Sequence, residues 1–195
     1  MLKVAVLVSG GGTNLQAIID AVNEGKITNA EISLVISNNK NAYALERAKN
    51  AGIASMCISP KEYATRDDFH VALTETLKNA GVDLVVLAGY LVAIPEMLVK
   101  EFPNKIINIH PALLPKYGGK GFYGEHVHEA VVAAKEEYSG ITIHYVNEHY
   151  DSGDIIFQAQ VALEEGETPD SLAAKIHTLE YKHYPEVIEK LTIDS

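Results

Sequence analysis

The sequence contains almost no cysteine, and this limits the kinds of protein that it can encode. Cys57 is the single cysteine among 195 residues, which excludes an internal disulfide and a zinc site built from cysteines. Basic residues are also scarce, since 16 Lys and Arg stand against 26 Asp and Glu, for a formal net charge of −10. This charge argues against nonspecific binding to nucleic acid or to an anionic membrane as the main activity. It still allows a local cationic pocket for a small anion.

Long hydrophobic runs are missing as well. The apolar run 2–8 is too short to cross a membrane, and it continues directly into a glycine loop rather than a cleavage site. The single cysteine also suits a reducing compartment. Both observations favour a cytoplasmic protein in which the run 2–8 is retained as the first strand. Internal repeats, low-complexity segments and linkers are also lacking, so we expect a single domain over residues 1–195.

The pattern that is present alternates short apolar runs with amphipathic segments. Strands are predicted at 2–8, 31–37, 53–59, 83–88 and 105–110, and helices at about 14–25, 42–51, 66–80 and 95–101. This alternation is typical of βαβ units and a parallel sheet. Two further strands, 140–146 and 155–161, are joined by a short polar connector and should pair antiparallel before a helix at 169–191. We therefore predict an α/β fold with a Rossmann-like, mainly parallel sheet, helices on both faces and an antiparallel C-terminal strand pair.

A glycine-rich loop follows the first strand and reads Ser9-Gly10-Gly11-Gly12-Thr13-Asn14. Backbone amides at the start of a helix form a ready anion site. Leu15 stands where a dinucleotide fingerprint has its third glycine, and the second strand ends in Ser37-Asn38-Asn39, without an acid for an NAD ribose. A Walker loop would need Lys and then Ser or Thr where Asn14-Leu15 stands. These departures favour a phosphomonoester substrate over NAD or ATP, and a tight turn that binds nothing is the alternative.

The strand at 105–110 ends in a polar pair just before Pro111. Because strand side chains alternate between faces, Asn108 and His110 point to the same side, at the carboxyl end where open α/β sheets bind ligands. A polar strand end with a solvated histidine is the alternative interpretation. An acid to pair with His110 is expected in the connector 147–154.

An amide, an imidazole and a carboxylate beside an anion loop suit the transfer of a group to a nucleophile that the substrate supplies. The sequence has no Gly-x-Ser-x-Gly, and Cys57 has no histidine near it in sequence, so covalent catalysis is not indicated. Asn108 would stabilise an oxyanion, His110 would transfer protons, and the carboxylate would fix the tautomer of the imidazole. His126 and His128 diverge if they lie two positions apart on a helix, so no metal site is predicted.

The run Asn108-Ile-His110-Pro111-x-Leu113-Leu114-Pro115-x-Tyr117, with Asp151-x-Gly153 further on, resembles the folate-dependent formyltransferases. The run from Ser9 to Ile18 narrows the resemblance to the phosphoribosylglycinamide formyltransferase family, and the likeness covers essentially the whole chain. It implies a one-carbon group transferase that moves the formyl group of 10-formyltetrahydrofolate to the amine of 5-phosphoribosylglycinamide in de novo purine biosynthesis. It also implies Asn108, His110 and Asp151 as catalytic residues, small-molecule partners, no metal, and a monomer or homodimer.

The resemblance further implies the residues that bind each ligand. Those for the ribonucleotide are Gly12, Thr13 and Asn14 at the phosphate, together with Glu180. Those for the folate are Tyr90, Leu91, Val92, Ala93 and Ile94 at the pterin, Asn108, and Arg66 at the glutamyl tail. The N-terminal half is thus expected to bind phosphate and ribonucleotide, and the C-terminal half to carry catalysis and folate binding.

Two positions depart from the family pattern. Val92 stands where well-known relatives carry arginine, so a side-chain contact from that position is lost. The segment 118–124 is longer than the equivalent loop, and its four glycines and two aromatics suggest either a mobile flap over the site or a plain surface loop.

Other functions stay open at this point. Water as the acceptor would give formyltetrahydrofolate hydrolysis, and methionyl-tRNA would give a tRNA formyltransferase. Relatives of both kinds carry an additional domain, whereas this sequence runs from Met1 to Ser195, which favours the smaller transferase. A noncatalytic phosphate- or nucleotide-binding module would leave Asn108, His110 and the later acid unexplained together, and Leu15 weakens a nicotinamide-dependent reductase.

Overall fold

The computed structural model describes residues 1–149 and 151–195, and its strands form one seven-stranded sheet. The strands are β1 (Leu2–Val8), β2 (Ala30–Ser37), β3 (Ser55–Cys57), β4 (Leu84–Leu87), β5 (Ile106–His110), β6 (Tyr138–Tyr145) and β7 (Ile155–Ala162). The helices are α1 (Thr13–Asn23), α2 (Tyr43–Asn50), α3 (Arg66–Asn79), α4 (Glu96–Glu101), α5 (Glu125–Ala133) and α6 (Pro169–Ile193), with a short 3₁₀ turn at Pro60–Glu62. In the part of the chain described, no helix is both long and apolar enough to cross a membrane.

The sheet order is β3-β2-β1-β4-β5-β6-β7. The first five strands are parallel, whereas β6 pairs antiparallel with both β5 and β7. The predicted fold class is therefore confirmed. Because β1 lies between β2 and β4, the chain order reverses at β1, and such a switch point opens a crevice beyond the carboxyl ends of the strands.

Both faces of the sheet are buried, as the Val-rich first strand predicts. Val4, Val6 and Val8 belong to one hydrophobic cluster, which also contains residues of α1, α5 and α6. Ala5 and Leu7 point the other way and belong to a second cluster with residues of α3 and α4. The alternation of strand side chains thus places helices on both faces and leaves the strand ends free to carry polar groups.

One predicted strand is shorter in the structure, and one helix was not predicted. The third strand is confined to Ser55–Cys57 instead of 53–59, because the Ser59 hydroxyl accepts from the Lys61 amide and Pro60 starts a 3₁₀ turn. Helix α5 is absent from the elements predicted by periodicity. Its buried apolar face consists of Val127 and Val131 alone, which is too short a repeat to stand out. Thr65 caps the start of α3, since its side chain accepts from the Asp68 amide.

Candidate active site

A cleft of about 610 Å³ opens at the carboxyl ends of β1, β4 and β5, within the size range of small-molecule sites. Most residues that the sequence analysis singled out line it: Thr13, Asn14, Tyr90, Leu91, Val92, Ala93, Ile94, Asn108, His110, Asp151 and Glu180. Gly12 lies directly before this lining, and Arg66 lies outside it. The fold therefore brings together side chains that are more than 160 positions apart in sequence.

Asn108 is held by a histidine from the neighbouring strand. Strand β5 pairs with β6 so that Asn108 lies opposite His144, and the Asn108 Nδ2 is 3.3 Å from the His144 Nε2. The His144 Nδ1 is 3.0 Å from the Tyr145 carbonyl, which can only accept, so Nδ1 carries the proton. Burial lowers the pKa of His144 and favours the neutral ring, whose Nε2 then accepts one amide hydrogen of Asn108. The second amide hydrogen remains for a ligand.

His110 is 4% exposed and has a defined tautomer. Its Nε2 lies 2.6 Å from the Tyr117 carbonyl oxygen and therefore donates to it. Its Nδ1 faces the Asp151 carboxylate, with 3.6 Å between Nδ1 and Oδ2. This separation is longer than a hydrogen bond and within the distance of an ion pair. A proton taken up by His110 therefore enters at Nδ1, on the side of Asp151.

Asp151 lies between two imidazoles, within the connector from β6 to β7. Its Oδ1 is 3.7 Å from the His144 Nε2, and its Oδ2 accepts from the Gly119 amide at 2.9 Å. Close packing holds the connector here, because a Cβ at Gly153 would lie 1.7 Å from the Tyr145 carbonyl oxygen. An acid from this connector was expected beside His110, but its position facing both histidines was not predicted.

Thr142 anchors the segment that follows Pro111. Its buried hydroxyl donates to the Ala112 carbonyl at 2.7 Å and accepts from the Leu114 amide at 3.0 Å. Gln158 of β7 donates to the same hydroxyl at 2.9 Å. Sequence reasoning did not assign this role, although Thr142 shares a strand face with His144 and could have been noticed on that ground.

The glycine loop begins α1 in a conformation that suits glycine. Gly12 has φ +75° and directly precedes Thr13, the first residue of the helix. A Cβ at Gly12 would lie 2.6 Å from the Cβ of Ala44, so α2 packs directly against the loop. Ser9 connects the loop to two other segments, because its hydroxyl donates to the Asn38 side chain and accepts from the Leu91 amide at 2.9 Å.

The α6 side of the cleft holds buried polar groups that have few partners. Glu180 is 7% exposed, and burial raises its pKa to about 7, which a hydrogen bond from Asn14 partly offsets. The Asn14 Oδ1 and the His128 Nδ1 are buried and have no partner among the described residues. Burial also lowers the pKa of His128. His128 and His177 line the cleft but were not predicted. His177 precedes Glu180 by three residues, and this helical spacing could have indicated it.

The segment from Tyr90 to Ile94 forms the other wall and is largely apolar. Leu91 is 61% exposed, although Ser9 holds its amide. Burial raises the pKa of Tyr90, and the charge of Arg66 opposes this shift. The Arg66 guanidinium itself is exposed and lies over the ring of Phe69, 5.8 Å from its centroid.

The segment after Gly118 contributes to the cleft through Gly119, Lys120, Gly121, Phe122, Tyr123 and Gly124. Phe122 meets the ring of Tyr117 edge-on, with 6.1 Å between centroids. Lys120 is the only Lys or Arg among the described lining residues. Within 1–149 and 151–195, no group of three or more His, Cys, Asp or Glu side chains is placed to hold a metal ion.

An asparagine and a histidine at the end of β5, a carboxylate beside the histidine and the start of α1 thus meet in one cleft of an α/β fold. Residues 2–188 match the formyl transferase family, and the chain belongs to that family. It is 42% identical over 192 residues to the phosphoribosylglycinamide formyltransferase of Haemophilus influenzae, covering 98% of this chain and 88% of that one. It also resembles the crystal structure of glycinamide ribonucleotide transformylase 1 from Symbiobacterium toebii, with TM-score 0.92, 40% identity, and coverage of 100% of this chain and 89% of that one.

Other relatives are longer than this chain. The chloroplastic phosphoribosylglycinamide formyltransferase of Arabidopsis thaliana is 43% identical over 187 residues, which is 95% of this chain and 64% of the plant protein. The trifunctional purine biosynthetic protein adenosine-3 of Drosophila melanogaster is 42% identical over 190 residues, which is 97% of this chain but 14% of that protein. The chain therefore spans less than two thirds of these two relatives.

Proposed function

We propose that this protein transfers the formyl group of 10-formyltetrahydrofolate to the amine of 5-phosphoribosylglycinamide, a step of de novo purine biosynthesis. One observation carries the proposal: Asn108, His110 and Asp151 meet in the same cleft as the amide-rich start of α1. The three side chains suit acyl transfer, and the backbone amides at the start of α1 suit a phosphate. Membership of the formyl transferase family and the names of the relatives support the same reaction.

In the proposed reaction the glycinamide amine attacks the formyl carbon, and the bond from that carbon to the folate N10 then breaks. The negative charge that develops on the formyl oxygen would lie beside the free amide hydrogen of Asn108 and a proton on the His110 Nδ1. The proton lost by the amine goes to N10, directly or through water or His110. Asp151 would face a proton on the His110 Nδ1, and the Tyr117 carbonyl fixes the orientation of the ring.

The proposed binding roles divide the cleft between two ligands. Gly12, Thr13 and Asn14 would bind the phosphate, and Glu180 would accept from the ribose portion. The folate pterin would lie against the segment Tyr90, Leu91, Val92, Ala93 and Ile94, beside Asn108. Arg66 lies outside this lining, where an exposed cation would meet a glutamyl tail in solvent. In this assignment both halves of the chain contribute to each ligand site, so we propose 1–195 as one domain without the division of roles between halves that was expected from the sequence.

The proposal requires small molecules as partners and no metal. The mixed composition and single cysteine support a cytoplasmic location, with a monomer or homodimer as the expected state.

An absorbance assay with 10-formyltetrahydrofolate, run with and without 5-phosphoribosylglycinamide, tests the proposed function. Formyl transfer that depends on the amine is the expected result. Release of formate at the same rate without the amine would instead identify a hydrolase. Binding of either ligand without turnover would identify a noncatalytic module and overturn the proposal.

A further inference from the structure

The carbonyl groups of the glycine loop are bound on the side of α2. The Gly10 carbonyl accepts from the Ala44 amide at 3.1 Å, and the Gly11 carbonyl accepts from the Arg47 Nε at 2.7 Å. In a trans peptide the carbonyl and the following amide point in opposite directions. The amides of Gly11 and Gly12 therefore point away from α2, and among the described residues they meet no acceptor.

In the order of the sheet, the strands whose ends form the cleft and the strand that leads into α2 lie on opposite sides of β1. Helix α2 follows β2, which lies on one side of β1, whereas β4 and β5, whose ends form the cleft, lie on the other side. Thr13 and Asn14, the next residues along the loop, line the cleft. The contacts on α2 thus turn the loop amides toward the position proposed for the phosphate.

Arg47 is itself fixed by three neighbours of different kinds. Besides the Gly11 carbonyl, it donates from Nη1 to the Gln16 side chain at 3.3 Å, and its guanidinium lies 4.9 Å from the ring centroid of Tyr43. Its Cδ packs 3.3 Å from where a Gly12 Cβ would be. The planar fork of arginine makes these contacts in one orientation, which lysine cannot reproduce.

The charge of Arg47 has a second consequence. Lys120 is the single Lys or Arg among the described residues that line the cleft, and the sequence carries a net charge of −10. A fixed guanidinium behind the loop therefore adds positive potential where a phosphate must be held. It does so without contacting the ligand.

We infer that Arg47 is a positioning residue for the phosphate of the ribonucleotide, acting from behind the loop through the Gly11 peptide. This inference rests on the proposed function, because it takes the phosphorylated amine as the substrate. It predicts that Arg47 matters for the phosphate and not for the formyl transfer step.

The test compares Arg47→Met with Lys49→Met, which removes an exposed cation from the same helix. Steady-state kinetics would use 5-phosphoribosylglycinamide and the same compound without its phosphate. Arg47→Met removes both a charged hydrogen bond to the loop and the positive potential of the guanidinium. The KM for the phosphorylated substrate should therefore rise about 10-fold or more, with kcat nearly unchanged. The kcat/KM for the unphosphorylated compound should not change. Lys49→Met should behave as the unsubstituted protein with both compounds.

Equal losses with both compounds, or no loss with either, would overturn the inference. If Arg47→Met does not fold, as judged by circular dichroism, Arg47→Lys takes its place, because it keeps a cation and an aliphatic stem but removes the Nε donor. If the unsubstituted protein shows no formyl transfer, the proposed function fails separately. Binding of inorganic phosphate, followed by ³¹P NMR, then decides the inference: about 10-fold weaker binding by the Arg47 variant supports it, and equal binding contradicts it.

Discussion

At the residue scale, Glu180 is a carboxylate that folding moves from water into the cleft. Burial raises its pKa from 4.5 to about 7. Between these pH values the folded protein holds a proton that the unfolded chain has released. The free energy of unfolding therefore falls as the pH rises through this window, and the full penalty is present above pH 7.

We predict that Glu180→Gln removes this penalty, because the amide has a similar shape and no charge. The variant should gain up to about 3 kcal/mol of stability relative to the unsubstituted protein at pH 8, and little at pH 4.5. Urea unfolding at both pH values measures this difference. Glu165→Gln, at an exposed position, should leave the pH dependence as it is. Parallel stability profiles for Glu180→Gln and the unsubstituted protein would contradict the prediction.

His110 supports a second prediction at the same scale. Its proton-accepting Nδ1 faces Asp151, so His110→Ala should remove acid–base catalysis and lower kcat by roughly 10²–10⁴. Kinetics with both proposed substrates measures the loss, and circular dichroism checks that the fold is retained. His126→Ala, which removes an exposed imidazole outside the cleft lining, is the matched control. Near-normal turnover by His110→Ala would show that the histidine is not the acid–base group.

At the scale of elements, the contact between the glycine loop and α2 leads to a third prediction. Gly12→Ala places a side chain in the left-handed region and drives its Cβ to 2.6 Å from Ala44. The backbone conformation alone should cost about 1–2 kcal/mol, and the clash should shift the loop and raise KM for the ribonucleotide. Thermal unfolding and kinetics measure the two effects.

Gly11→Ala is the matched stability control for this prediction, because a Cβ at Gly11 has no atom within 4 Å and its φ is not in the positive range. It should unfold within a few tenths of a kcal/mol of the unsubstituted protein. Equal melting temperatures for the two variants would show that α2 does not constrain the loop.

Element boundaries show which parts of the fold were accessible from sequence. Apolar periodicity was sufficient for β1, whose successive side chains alternate between two clusters, and for α3, whose cap at Thr65 is local. It was insufficient for α5, which buries few apolar residues. The contact between Asn108 and His144 depends on the antiparallel pairing of β5 with β6, and no local pattern specifies that pairing.

At the scale of the whole molecule, Tyr184 connects α6 to the centre of the sheet. Its buried hydroxyl donates to the Leu87 carbonyl of β4 at 2.7 Å and lies 3.3 Å from the Ile107 carbonyl of β5. Tyr184→Phe keeps the ring but removes these buried contacts of the hydroxyl, so we expect a loss of about 1–2 kcal/mol. Urea unfolding measures the loss.

Tyr181→Phe, at a more exposed position on the same helix, should change stability by less than 0.5 kcal/mol, as is usual for surface substitutions. A similar loss for both variants would exclude a special role for the Tyr184 hydroxyl.

The complete site could be predicted from the sequence only in part. Asn108 and His110 follow from strand alternation, whereas Asp151 and Glu180 depended on resemblance, because their distance from His110 in space is set by the course of the whole chain. His128 and His177 were missed, since each becomes a lining residue only when α5 and α6 pack over the strand ends. The catalytic and binding roles of these residues stay predictions.

Ser9 belongs to the glycine loop, and its hydroxyl contacts both the Asn38 side chain and the Leu91 amide. It therefore joins the segment proposed for the ribonucleotide to the segment proposed for the folate. If a ligand bound to one segment fixes this hydroxyl, less conformational entropy remains to be lost when the other ligand binds to the second segment. Thermodynamic linkage requires this coupling to be reciprocal, so each ligand should strengthen the binding of the other by the same factor.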